Sequence, residues 1–180
     1  MKKLKRILII GGPGSGKTSV LKTIEKGGFQ VHHEISREVT AKAQEQGIEQ
    51  LFLTDPFAFS NQLLDGRILQ FRKAKEGIHF YDRGIPDVPA YHVFTGDEIP
   101  PAFIKACEEH IYDQVFFLPP WEAIYKSDKE RYESYEQAVV LGDILKLFYT
   151  QLGYSPITVP QLDLENRFNF IKDHIYNSDR

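Results

Sequence analysis

The sequence holds a single cysteine, Cys107, in 180 residues, so no disulfide can close within the chain. A disulfide framework is thereby excluded, and at this length none is needed, because folding buries roughly 70% of the surface the unfolded chain exposes. A lone thiol suits a reducing compartment, and the cytoplasm is the expected location. Long apolar runs are also missing. The basic lead Lys2-Lys3-Leu4-Lys5-Arg6 resembles the start of a secretory leader, yet the apolar run behind it is only Ile7 to Ile10 before Gly11-Gly12. That is too short for a leader's apolar stretch. Nothing approaches the ~20 residues of a membrane span, so no span is expected.

A basic excess is lacking as well: 22 basic side chains face 25 acidic ones, for a net charge of −3 and a pI near 6.1. Broad nucleic-acid binding needs many Lys or Arg contacts to phosphate, so no nucleic-acid partner is expected. There is no internal repeat, low-complexity tract or Gly/Ser-rich linker, and residues 1–180 read as one domain. His32 and His33 have no Cys or His partner at ligand spacing, which argues against a structural metal site and for packing or solvated roles.

What is present is an alternation of strands and helices. Leu4 to Ile10 is a β-branched apolar run, the pattern of a parallel strand buried on both faces. A helix is predicted over Ser15 to Lys26, stopped by Gly27-Gly28. Phe29 to His33, Ile78 to Tyr81, Gln114 to Leu118 and Pro156 to Val159 supply four more strands. Helices are predicted over Glu34 to Gln46, from Asp55-Pro56 to Gly77, over Pro101 to His110, Ser134 to Leu152 and Asp163 to Tyr176. Asp55-Pro56 is a strong start, with a capping carboxylate and a proline in the first turn. This order predicts an α/β domain of three layers, with a five-stranded, mainly parallel sheet between helices.

Between the first strand and the first helix stands Gly11-Gly12-Pro13-Gly14-Ser15-Gly16-Lys17-Thr18. It matches G-x-x-x-x-G-K-[ST], the P-loop, at every fixed position. Average composition brings those positions together by chance in well under ~1% of chains this long. Each residue type suits phosphate binding. Glycines let the backbone curl round a phosphate, its N–H groups form an anion nest, and the helix start adds its positive end. Lys17 supplies charge to the β and γ phosphates, and the Thr18 hydroxyl is a ligand for Mg²⁺. The expected nucleotide contacts are therefore Gly11, Gly12, Pro13, Gly14, Ser15, Gly16, Lys17 and Thr18, with Ser19 next to them. ATP or GTP is the expected ligand. The spacing G-x-G-x-x-G does not occur, which excludes the dinucleotide-binding alternative.

A second acidic site follows the third strand. Asp82 stands at its carboxyl end, where parallel sheets bind ligands. It is a candidate to hold Mg²⁺ or to accept a proton from an attacking hydroxyl. Arg83 beside it suits an anionic group. Glu34 follows the second strand in the same way and is the rival base, with Arg37 a helical turn later. The stretch Trp121 to Glu133 holds Lys126, Lys129 and Arg131 within six residues and reads as a lid, with Arg131 stabilising charge in the transition state. Gly84 to Pro101 reads either as a wall for an acceptor or as a surface for a partner. Trp121 and the tyrosines near it read as packing, or as a patch that holds a ring.

Taken together, the P-loop, Glu34-Ile35-Ser36-Arg37-Glu38, Tyr81-Asp82-Arg83-Gly84-Ile85-Pro86-Asp87 and Leu118-Pro119-Pro120-Trp121-Glu122 with Asp128-Lys129-Glu130-Arg131 give the chain a family likeness. It resembles the AAA-type P-loop ATPase family that includes the ribosylnicotinamide kinase domain of NadR. The resemblance implies a small-molecule-kinase-like fold with a five-stranded parallel core. With the residues read above, Lys17, Asp82 or Glu34, and Arg131 are the expected catalytic residues, Glu34, Arg37, Arg83 and Asp87 the expected substrate contacts, and Thr18 and Asp82 the expected metal ligands. The expected activity is transfer of the ATP γ-phosphate to a small hydroxylated, nucleoside-like molecule. The alternative is a slow ATPase or GTPase that acts as a nucleotide-dependent switch on a protein partner.

Overall fold

Ile7, Leu8, Ile9 and Ile10 are all fully buried, which a strand achieves only at the centre of a sheet covered on both faces. In the computed structural model, which describes residues 3–125 and 134–177, they lie on β1 (Lys5–Ile10). The other strands are β2 (Gln30–His32), β3 (Ile78–Asp82), β4 (Gln114–Phe117) and β5 (Ile157–Thr158). Their order is β2-β3-β1-β4-β5. Every pairing is parallel, so the sheet is wholly rather than mainly parallel. The helices are α1 (Lys17–Lys26), α2 (Ser36–Glu45), α3 (Leu51–Thr54), α4 (Pro56–Lys73), α5 (Asp87–Thr95), α6 (Pro101–Glu109), α7 (Tyr135–Gln151) and α8 (Leu164–Asn177).

Side chains alternate along a strand, and β1 divides its residues between two cores accordingly. Ile7 and Ile9 join Phe80, Phe116 and Leu118 against Val20, Leu21 and Ile24 of α1 and Ile171 and Ile175 of α8. Leu8 and Ile10 join Tyr81, Val115 and Phe117 against α5, α6 and α7, through Val88, Phe103, Leu141, Leu145 and Tyr149. At about 1.5–3 kcal/mol for each fully buried large apolar side chain, these two cores hold the three layers together. A smaller cluster, Val39, Ala43 and Leu51 with Phe59 and Leu63, ties α2 and α3 to α4.

Local signals set the helix starts. The Asp55 side chain accepts from the Ala58 amide at 2.9 Å, and Pro56 opens α4. Ser134 and Gln137 form a reciprocal capping box at α7, a device worth about 1 kcal/mol. Two helices depart from the sequence reading. α3 is a four-residue turn with no periodic signal. α5 carries Pro89 near its start, and prolines obscure a helical pattern even in the first turn, where they are tolerated. Residues 84–90 are all buried there, so this part of the segment is core, not a partner surface. α4 also ends at Lys73, four residues short of Gly77.

The register fixes the site. Ile9 pairs with Asp82 of β3, and Ile10 with Phe117 of β4. The loop leaving β1 therefore starts beside Asp82, at the carboxyl edge of the sheet.

Candidate active site

The loop from Gly11 to Gly16 needs its glycines for space. A Cβ on Gly11, at φ 149°, would stand 2.2 Å from the Leu118 carbonyl oxygen. One on Gly14, at φ 72°, would stand 2.2 Å from the Tyr125 ring. The loop turns into α1, so the helix's free amides and positive end face the nest. Lys17 is only 8% exposed and curls back, donating from Nζ to the Gly12 carbonyl at 3.1 Å. Ser15 Oγ donates to the same carbonyl at 2.9 Å. Burial, helped by the nearby Arg83 charge, lowers the Lys17 pKa to about 8. Thr18 and Ser19 are exposed on the first turn of α1.

Asp82 is buried beside this lysine, and its Oδ1 has no hydrogen-bond partner among the described residues. Burial raises its pKa, with Lys17 and Arg83 pulling the other way. The next residue, Arg83, takes φ 69° and is the single non-glycine in the left-handed region among the described residues. That conformation costs an L-residue roughly 1–2 kcal/mol, so its surroundings must hold it. They do so from several sides. The Arg83 amide donates to the Ile9 carbonyl at 3.2 Å. The Gly84 amide donates to Asp87 Oδ2 at 2.9 Å, and the Gly84 carbonyl accepts from Arg67 Nη1 at 2.9 Å. Tyr149 of α7 donates to the same Asp87 oxygen at 2.5 Å.

Held this way, the Arg83 side chain reaches Glu34. Its Nε lies 2.5 Å from Glu34 Oε2, while its Nη1 donates to the Tyr91 hydroxyl at 2.7 Å. Arg67 grips the other side of the carboxylate, with Nη2 3.3 Å from Oε1. The Ile35 and Ser36 amides also donate to Oε1, at 2.9 and 3.1 Å. Burial favours a neutral Glu34, but Arg67, Arg83 and the Ser36 amide outweigh it and hold the pKa below the ordinary value. Glu34 keeps 21% of its side chain exposed and Arg83 15%, so both remain open to a small molecule.

A family model described as an AAA domain matches residues 6–167. The chain belongs to this AAA-domain family. Among solved structures, the AAA-domain chain is similar to deoxyadenosine kinase from M. mycoides with products dCMP and a flexible dCDP bound. The TM-score is 0.69 at 18% identity, with 96% of this chain and 99% of that chain covered. A second structure of that kinase, with bound dATP, gives 0.65 at 16% identity, covering 96% and 99%. Shikimate kinase from Aquifex aeolicus gives 0.60 at 17% identity, covering 97% and 98%. No curated protein matches. The AAA-domain chain thus has the P-loop fold shared by small-molecule kinases.

The fold brings Lys17, Glu34 and the neighbours Asp82 and Arg83 together from the ends of three strands, β1, β2 and β3. Arg37 is exposed on the first turn of α2. Asp87, expected at the substrate, is 0% exposed and bonds the Gly84 amide and Tyr149. The stretch Lys126 to Glu133, with Arg131, lies outside the described residues. Of the expected lid, Glu122–Ile124 form one 3-10 turn, and Tyr125 packs over Gly14. No helix among the described residues is long and apolar enough to cross a membrane.

Two buried arginines beside the site escaped the sequence reading, and one signal marks both. Arg67 falls three residues after Leu64 and four before Phe71, inside the apolar stripe of α4. Arg167 falls three after Leu164 and four before Ile171, inside the stripe of α8. Both are buried. A charge in a buried stripe must be paired or hydrogen-bonded. Arg67 pairs with Glu34. Arg167 Nη1 donates to the Ser15 carbonyl at 3.2 Å, and its guanidinium lies 5.5 Å from the Trp121 ring centre.

Proposed function

We propose that this AAA-domain chain is a phosphotransferase that moves the γ-phosphate of ATP to a hydroxyl of a small, nucleoside-like molecule. The observation that carries this is the meeting of Glu34 with Arg83 next to Lys17 and Asp82. A nucleotide switch calls for segments that order around the γ-phosphate; an accessible carboxylate held against two arginines beside the P-loop suits an acceptor hydroxyl.

In this reading the loop amides of residues 14–18 and the Lys17 ammonium bind the β and γ phosphates. The acceptor hydroxyl donates to the Glu34 carboxylate, and Arg83 fixes the oxygen's approach. The acceptor oxygen forms its bond to Pγ as the bond from Pγ to the β-phosphate oxygen breaks. ADP leaves, and the acceptor's proton passes to Glu34. In a loose transition state that proton moves late, so a carboxylate of low basicity suffices and orientation matters most. Arg131 is assigned the charge that develops on the transferred group.

Mg²⁺ fits the donor side. Thr18 offers an exposed hydroxyl, and the Asp82 oxygen without a partner adjoins Lys17. The described residues contain no group of three or more acidic, His or Cys side chains able to hold a metal alone. Mg²⁺ takes most of its ligands from substrate phosphates and water. Bound there, Mg²⁺ would neutralise phosphate charge.

The test is ADP release measured across a panel of nucleosides and other small alcohols, with ATP and Mg²⁺. At least one acceptor should stimulate release and appear phosphorylated by mass spectrometry. Slow release that no acceptor changes, together with nucleotide-dependent capture of a protein, would replace this reading with the switch.

A further inference from the structure

Arg67 is buried on α4, far in sequence from every motif that marks the site, and its two terminal nitrogens are divided between two targets. Nη1 donates to the Gly84 carbonyl at 2.9 Å. Nη2 faces both oxygens of Glu34, at 3.3 and 3.5 Å. Gly84 follows Arg83, and Arg83 is the second cation on Glu34. One guanidinium therefore fixes a carboxylate directly and, through the turn, the arginine that shares it. The planar fork of arginine permits this division; a lysine ammonium serves one target well and the other poorly.

From this geometry we propose that Arg67 is a positioning residue for the phosphotransfer, holding Glu34 charged and in place and keeping the strained Asp82-Arg83-Gly84 turn in register with it. The proposal rests on the phosphotransferase reading for its effect on turnover, though not for its effect on Glu34 itself. Arg67 touches no acceptor: it is buried behind the carboxylate. Its own charge is disfavoured by burial, but Glu34 and Asp87 stabilise it and keep it a cation.

The charged groups around Glu34 come from every neighbouring element. They are Lys17 of α1, Asp82 at the end of β3, Arg83 after it, Asp87 at the start of α5 and Arg67 itself. Tyr91 bonds Arg83 and Tyr149 bonds Asp87. Arg37 is exposed one helical turn on. Among the described residues, Arg67 and Arg83 stand within ion-pair distance of Glu34. Losing one of two such partners typically raises a carboxylate's pKa by about 1–3 pH units.

The experiment compares the full chain with R67M, R67K, E34Q and R67M/E34Q. The Glu34 carboxylate is titrated by carbon-detected NMR, with its signal assigned through E34Q. In R67M its midpoint should rise by about 1–3 pH units; in R67K, which keeps the charge, it should rise by less than half as much. An unmoved midpoint in R67M overturns the proposal. Should R67M fail to fold, R67Q serves the same comparison. Turnover at saturating ATP and acceptor supplies the second readout. R67M should lose about tenfold, with the acid limb of its pH profile moved upward. R67K should lose less, and R67M should slow E34Q by less than it slows the parent, because Arg67 acts mainly through Glu34 and only in part through the Gly84 turn. Multiplying losses in the double variant overturn the proposal. If no acceptor stimulates the parent, the phosphotransferase reading fails, and the NMR midpoints still decide what Arg67 does to Glu34.

Discussion

The two halves of the site are built in opposite ways. The donor half is a continuous run, Gly11 to Thr18, whose conformation comes from glycines and whose charge comes from one lysine. Its own side chains bond within the loop, Lys17 to Gly12 and Ser15 to Gly12, with a distant bond from Arg167 to the Ser15 carbonyl beside them. The half proposed for the acceptor is assembled from Glu34 after β2, Arg67 on α4, Arg83 and Asp87 after β3 and Tyr149 on α7. The bond from Arg67 to Glu34 spans 33 positions and that from Tyr149 to Asp87 spans 62. A phosphate is the same in every nucleotide, so a backbone nest recognises it and local sequence encodes the nest. An acceptor differs from enzyme to enzyme and needs side chains, which the fold must bring together. The donor half should therefore break at single positions, and the acceptor half should fail in graded steps.

The largest effect belongs to Lys17→Ala. Removing a charge-assisted partner at a desolvated contact costs about 2–5 kcal/mol. Affinity for ATP with Mg²⁺ should therefore fall by roughly 10²–10³-fold in calorimetry, and unchanged affinity would sink the donor assignment. Glu34→Gln should do the reverse. Turnover should drop by about 10²-fold, as for a lost general base, while ATP affinity stays close to the parental value. Equal loss of affinity and turnover would mean that the halves are not separable. If turnover survives, Asp82→Asn becomes the test of the rival base.

How far the sequence carried the fold and site follows the same division. All five strands were legible from their apolar runs, and the P-loop from its fixed spacing. Asp82 and Glu34 were legible as carboxylates at strand ends. That Arg67 and Arg83 reach Glu34 while Asp82 is enclosed beside Lys17 is tertiary, and the proposed assignment of the acceptor to Glu34 rests on it. α5 was missed because Pro86 and Pro89 break its pattern. A carboxylate near a motif suggests a ligand contact, and only the fold shows Asp87 fully buried with its Oδ2 on the Gly84 amide and Tyr149. Arg67 and Arg167 left a readable trace, a cation inside an apolar stripe, whose partners only the fold identifies.

Smaller effects sharpen the comparison. Gly11→Ala places a Cβ against the Leu118 carbonyl oxygen at 2.2 Å, a backbone atom that cannot swing aside. It should cost about 2–3 kcal/mol, seen as a Tm lower by about 4–12 °C for a domain of this size. The acceptor half should be indifferent, with Glu34 keeping its low titration midpoint. Lys17 adds a pH signature. Its folded pKa of about 8 lies below the ordinary 10.5, so between those values the unfolded chain binds more protons, and this residue's contribution makes stability rise with pH. Nucleotide affinity should run the other way, falling above about pH 8 as Lys17 loses its charge. Calorimetry about one pH unit above that midpoint, in buffers of different ionisation enthalpy, should show a proton taken up on binding. No proton uptake would mean that Lys17 stays charged without its phosphate.

The smallest effect expected, Tyr149→Phe, tests how finely the acceptor half is braced. The Tyr149 hydroxyl donates to Asp87 Oδ2 in a fully buried setting. The substitution removes one charge-assisted hydrogen bond and leaves the ring in its core position, while the Gly84 amide remains on the same oxygen. A bond of this class is worth about 1.5–3 kcal/mol, and partial compensation by Gly84 should bring the loss to the lower end. Asp87 then holds the Gly84 turn less firmly, and Arg83, at φ 69°, is the residue whose conformation depends on that turn. kcat/KM for the acceptor should fall a few-fold, while ATP affinity stays at the parental value because no P-loop atom bonds Tyr149 among the described residues. Loss of ATP affinity equal to the loss in acceptor kcat/KM would show that the brace supports both halves, and the division between them would have to be abandoned.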